Sequence, residues 1–194
     1  MRPLAILVRG HAPGHGASSG AWGEYDSLPE YMISAEIRLR AMGCDVIRLE
    51  LGGLAERQRR GLQAIDFQRN RYPGAPCIYA SCHLNAGGPD YQRSVIFHDA
   101  RSGLGLQAAR PVSNALSERL SWPMVVRASE PSEGAPARVH ACIGSIYSAT
   151  PANCCAVLVE LLSVDRQPIS VSLLRKGGTQ LGLGLAAHLQ ELSP

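Results

Sequence analysis

The 194-residue chain reads as a single α/β domain, a mostly parallel central sheet of about six strands flanked by helices. Continuous apolar runs, rather than alternating ones, recur along the whole length, as strands buried on both faces require. Between several of them lie segments whose apolar residues are three to four apart, so strand and helix alternate. A composition of 45% hydrophobic and 18% charged residues suits a packed core and argues against disorder.

The first run, "LAILV" at 4–8, opens the chain as a core strand. The glycine-rich stretch "RGHAPGHGASSGAWGEYD" follows it. A helix is predicted over 27–42, with Leu28, Tyr31, Met32, Ala35, Leu39 and Met42 on one face. Ser27 and Glu30 have capping-box spacing, Pro29 falls in the first turn, and Gly43 stands where a C′ glycine belongs. Strands are predicted at 44–49, 77–82, 94–97, 124–126 and 155–162, and weaker helices at 54–69, 103–120 and 171–192. The Pro/Ser/Gly-rich segment 128–137 reads as a loop, because apolar strand material resumes after it. Residues 1–194 are thus expected to form a single domain with no second module.

A net charge of +3 is mild, and no nucleic-acid partner is expected. No run approaches the ~20 apolar residues of a membrane span. The amino terminus lacks the pattern of a signal peptide, which predicts synthesis in the cytoplasm. Six cysteines, without a Cys-x-x-Cys spacing and mostly in or beside apolar runs, read as structural thiols.

In open α/β sheets, ligands gather outside the carboxyl ends of the strands. That rule selects His11, just after the first run; His83, closing "CIYASCH"; Glu160, near the end of "CCAVLVELL"; and Glu24, on the loop before the first helix. Glu160 stands out, since a carboxylate inside an unbroken apolar run is costly to desolvate unless paired or neutral. Glu30 is explained by its cap. His98, His140 and His188 read as structural or surface residues. The opening loop is no phosphate loop: "GHAPGHGA" has no lysine after its glycines, and glycines at 10, 14, 16, 20 and 23 do not run straight into a helix. Two histidines and a carboxylate with an open position instead make a catalytic zinc site, beside which a carboxylate such as Glu160 can shuttle a proton.

The order of these residues resembles the zinc-dependent N-acetylmuramoyl-L-alanine amidases of the Amidase_3 family, from about residue 4 to 190. The family's first strand ends in Gly-His, matched by "ILVRGH" and His11. Its glutamate precedes the helix-ending glycine by an interval that suits Glu24, nineteen residues before Gly43, and not Glu30. Its Ser-Ile-His-x-Asn-Ala is matched by "SCHLNA", which makes His83 the third ligand and Asn85 a neighbour that orients it or the substrate. Its closing "VLVELGF" strand is matched by "VLVELL", with Glu160 as the catalytic carboxylate. Departures are Val8 and Arg9 in place of an acid and Pro, Leu161 in place of Gly and Leu162 in place of Phe. His15 rivals His11.

The resemblance implies Zn²⁺ held by His11, Glu24 and His83. It also implies hydrolysis of the bond between N-acetylmuramic acid and L-alanine in bacterial peptidoglycan, by metal-activated water with Glu160 as general acid and base. Trp22, beside Glu24, is a candidate rim residue for sugar stacking. A monomer is expected, acting on the wall after release by phage lysis or mother-cell lysis. The alternatives are a zinc peptidase acting within the stem peptide, for which Arg93, Arg101 and Arg127 offer a carboxylate-binding group, and a catalytically silent wall-binding module.

Overall fold

A computed structural model of the chain describes residues 2–11, 16, 18–19, 22–85, 94–120, 124–129, 153–163 and 169–193, and the backbone alone at 18, 19 and 22. In chain order the elements are β1 (Leu4–Arg9), β2 (Ser18–Ser19), β3 (Trp22–Gly23), α1 (Glu24–Ala41), β4 (Asp45–Leu49), α2 (Leu54–Arg71), β5 (Cys77–Asn85), β6 (Ser94–Asp99), α3 (Gly103–Leu120), β7 (Met124–Ser129), β8 (Cys154–Ser163) and α4 (Val171–Glu191). Six strands form one sheet in the order β4-β1-β5-β8-β6-β7, and β2 pairs with β3 in a separate antiparallel ladder. The predicted α/β fold and mostly parallel sheet are present, and each predicted strand lies within or beside an observed one.

β4, β1, β5 and β8 run parallel, whereas β6 pairs antiparallel with β8 and parallel with β7. The carboxyl ends of β6 and β7 therefore lie at the opposite edge from those of the other four. Apolar content does not reveal this reversal, because a strand buried on both faces looks the same in either direction.

Side chains alternate across the sheet. One face carries Ala5, Leu7, Ile78, Ala80, Cys82, Val157 and Val159, buried under α1, α3 and α4. The other carries Ile6, Val8, Tyr79 and Leu158, with Ile65 of α2 against them. The close approach of α4 depends on glycine. A Cβ on Gly178 would overlap the Tyr31 carbonyl of α1, and one on Gly184 would lie 2.7 Å from the backbone nitrogen of Val112 in α3.

α1 ends as expected. Gly43 has φ +85, its N–H donates to Arg40 O, and Cys44 N–H reaches back to Leu39 O, closing a Schellman motif. Its start differs from the capping-box reading. The helix begins at Glu24, with Gly23 as a cap that contributes no side-chain bond. Ser27 lies inside it, donating to Gly23 O at 2.8 Å, and Glu30 pairs with Arg175 of α4 at 2.8 Å. Glu24 is thus the first helical residue and not a loop residue.

The cysteine expectation is also corrected in part. Cys77 and Cys154, register partners on β5 and β8 with Cα atoms 4.7 Å apart, form a disulfide. Parallel pairing in register is what brings the two sulfurs together. Cys44, Cys82 and Cys155 are buried free thiols, as expected. Burial pushes the Cys82 and Cys155 thiols up to about 12, which keeps them unreactive. His15, Arg93, Trp122, His140, Cys142 and most of the segment 128–137 lie outside the described residues.

Candidate metal centre

The site forms where β1, β5 and β8 end side by side. Along β5, the residues facing α2 change from Cys77 and Tyr79 to the polar Ser81 and His83. Along β8 the matching row runs Cys154, Ala156, Leu158, Glu160. Parallel pairing sets His83 directly opposite Glu160, and in-register neighbours on parallel strands share a face. Glu160 is the one partly exposed residue in the ten of β8. It sits where the apolar row gives out. Just beyond it, Asn85 stands opposite Ser163, so the register shifts by one residue. Such a bulge re-aims the chain beside a site.

His11 follows β1 by two residues, and Glu24 opens α1. Glu24 lies between the two histidines. Its Oε2 is 3.4 Å from His11 Nε2, and its Oε1 is 3.2 Å from His83 Nδ1. The rings of His11 and His83 stand edge to face with centroids 5.0 Å apart. One ligand atom from each of the three residues falls within 4.8 Å of the others. Zn²⁺ held tetrahedrally at about 2.0–2.1 Å separates its donors by about 3.4 Å. Each Glu24 oxygen thus stands at about that separation from one histidine, and the three residues together could hold a metal ion.

Several groups fix this arrangement. Leu84 N–H donates to Glu24 Oε1 at 3.1 Å. Ser81 Oγ lies 3.0 Å from His83 Nε2, so the hydroxyl can accept that N–H, which would leave Nδ1 free to ligate an ion beside Glu24. Two glycines make room. A Cβ on Gly10 would sit 2.5 Å from His83 Cε1, and one on Gly16, with φ +107, would sit 2.7 Å from Glu24 Oε2. Arg9, a departure from the family pattern, has a visible use. Pro29 has no N–H for the Tyr25 carbonyl one turn before it, and Arg9 Nε donates to that carbonyl at 2.9 Å while its guanidinium covers the Tyr25 ring. Leu161, a second departure, fills the space that a Cβ on Gly177 would need.

Charge and burial compete here. Burial raises the Glu160 carboxyl to about 7; the Glu24 charge adds to this and His83 opposes it. Glu160 Oε2 is buried with no hydrogen-bond partner among the described residues. Burial alone would lower the His83 pKa, but the Glu24 hydrogen bond and the charges of Glu160 and Glu24 outweigh it and leave it raised, against an opposing pull from Arg57.

Asn85 closes β5 two residues after His83. Trp22 precedes Gly23 and α1 in the backbone, and its side chain lies outside the described part. His98 and His188 are buried structural residues, with His98 Nδ1 on Asp99 O at 2.9 Å and His188 Nε2 3.6 Å from Cys155 Sγ. Arg101 is paired with Asp99 at the far edge of the sheet, and Arg127 is exposed on the edge strand β7. Sequence reading missed Ser81, Arg9, Gly10 and Arg57. Only Ser81 carried a local signal, since two residues apart on a strand means one face.

No family model matches the sequence, and no curated protein matches it. Solved structures do share the fold. Cwp6 from Clostridium difficile superposes with a TM-score of 0.70 at 18% identity, over 95% of this chain and 29% of that one. This chain therefore spans under a third of Cwp6. The N-acetylmuramoyl-L-alanine amidase AmiC2 of Nostoc punctiforme matches with a TM-score of 0.66 at 14% identity, over 97% of each chain. The catalytic domain of the CD27L endolysin targeting Clostridia difficile matches with a TM-score of 0.57 at 15% identity, over 98% of this chain and 96% of that one. At these identities the likeness establishes the α/β fold.

Proposed function

We propose that the protein is a zinc-dependent peptidoglycan amidase, hydrolysing the bond between the lactyl group of N-acetylmuramic acid and the L-alanine of the stem peptide. The observation that carries this reading is the His11–Glu24–His83 cluster, set across one strand boundary from a carboxyl held near neutrality. The shared fold of solved amidases supports it.

His11, Glu24 and His83 would hold the ion. Zinc there supplies Lewis acidity, lowering the pKa of a water and polarising the scissile carbonyl. Glu160 accepts a proton from the attacking water and delivers it to the leaving alanine nitrogen. A carboxyl poised near 7 suits both transfers. The products are a lactyl carboxylate and a stem peptide with a free amino terminus. Ser81 would keep the His83 ring in its ligating orientation, Asn85 would orient that ring or the substrate, and Trp22 would serve as a rim residue.

Digestion of purified peptidoglycan, with and without a chelator, tests this. Stem peptides that begin with free L-alanine, lost on chelation and restored by zinc, are the expected products in mass spectrometry. Cleavage inside the stem would instead identify a peptidase. Bound zinc without any cleavage would identify a silent wall-binding module.

A further inference from the structure

We propose that Arg57 is a positioning residue whose guanidinium grips the backbone of residues 9–11 and so aims His11 at Glu24 and His83; the inference rests on the metal reading above. The three cluster members are held very differently. The His83 and Glu24 side chains are 7% and 1% exposed, and each belongs to a strand or helix. His11 is 41% exposed and lies beyond the end of β1. Strand pairing does not reach it: the β4 register with β1 ends at Val8–Leu49 and the β5 register ends at Arg9–Cys82.

Arg57 takes over at that point. It lies in the first turn of α2, is 1% exposed, and donates to three successive carbonyls. Nη1 reaches Arg9 O and, at 3.1 Å, His11 O; Nη2 reaches Gly10 O at 3.3 Å. A planar fork can serve three carbonyls of one bend at once, whereas an ammonium offers a single point charge. The inner stripe of α2 has a matching hook at its other end, where Gln68 Nε2 donates to Arg2 O at 2.8 Å. α2 thus grips β1 at both ends, and the Arg57 grip falls where a ligand leaves the strand.

The test compares Arg57→Lys and Arg57→Gln with the unaltered protein. The zinc dissociation constant is measured by competition with a chromophoric chelator, alone and in a His11→Ala background. Positioning groups behind metal ligands are worth roughly 10- to 100-fold in affinity, and a loss of that size is expected in both variants. If Arg57 acts through His11, the same substitutions change nothing further once His11 is alanine. An equal loss in both backgrounds, or none in either, overturns the proposal. Amide hydrogen exchange at Gly10 and His11 in the metal-free protein reads the grip without zinc or activity. Faster exchange confined to that bend is expected, including in Arg57→Gln if Arg57→Lys does not fold; unchanged exchange overturns the proposal. Zinc binding by the unaltered protein without peptidoglycan cleavage would remove the amidase reading and leave this one standing.

Discussion

The two faces of the sheet are held by different means. Under α1, α3 and α4, aliphatic side chains interlock and Gly178, Gly182 and Gly184 let α4 approach neighbouring backbones closely. Under α2, the buried stripe is Arg57, Gly61, Ile65 and Gln68, with one aliphatic side chain among four. Polar hooks at its ends hold β1 by its carbonyls. Hydrophobic packing is non-directional and roughly proportional to area, so the first face supplies stability. Hydrogen bonds specify where an atom lies; His83, Glu160 and the bend that carries His11 are on the second face, whereas Glu24 enters from α1. The contrast teaches that close helix packing is concentrated on one side of this fold and polar grips on the strand backbone on the other.

The largest expected effect tests the site face alone. Glu160→Gln should keep zinc and lower turnover by roughly 10²- to 10⁴-fold, whereas His83→Ala should lose both metal and turnover. Metal content by elemental analysis, beside peptidoglycan turnover, separates the two. Zinc retained in full by His83→Ala would mean that the ligand set is wrong.

On the packed face, Gly178→Ala drives a methyl into the Tyr31 carbonyl and to 2.8 Å from Ser34 Cβ. Overpacking of this kind costs about 1–3 kcal/mol, and the upper end is expected because the obstacle is backbone. The denaturation midpoint should fall while the folded protein keeps its zinc affinity. Gly10→Ala should do the reverse. Its methyl meets the His83 ring, so zinc affinity should drop roughly 10- to 100-fold with a smaller shift in midpoint. If both variants lose stability and affinity together, the two faces are not separable.

The smallest effect concerns pH. Glu160 titrates near 7 in the fold, against an ordinary 4.5. Between those values the folded state binds more protons than the unfolded state, so this contribution is complete below pH 4.5 and lost as pH rises through 7. The interval sets a ceiling of about 3 kcal/mol; partial exposure of the residue reduces the expectation to about 2 kcal/mol. Metal-free Glu160→Gln should therefore be more stable than the unaltered protein at pH 8, with the gap closing towards pH 4.5. Denaturant titrations across that range would show a constant gap if Glu160 were not held neutral.

The element plan was readable because each element left its mark within a few residues. Gly43 marked the end of α1 through its backbone freedom, and the strand of Glu160 was visible as an apolar run broken by one acid. The start of α1 was misread from Ser27 and Glu30, which have capping-box spacing. Ser27 bonds back to Gly23, and Glu30 answers Arg175 some 145 residues away. The Cys77–Cys154 disulfide was missed for a related reason: the partners are 77 residues apart and meet only through the β5–β8 register.

The sequence by itself determined which segments become strands and helices, and which polar residues stand at strand ends where chemistry gathers, since periodicity and desolvation cost are local properties of the chain. Only the tertiary structure decided that β6 and β7 run backwards, that His83 and Glu160 are register neighbours, and that Arg9 and Arg57 hold the chain around the ligands. Strand direction, register and a long side chain's choice of carbonyl are set by contacts between segments far apart in sequence, and no window along the chain contains both partners.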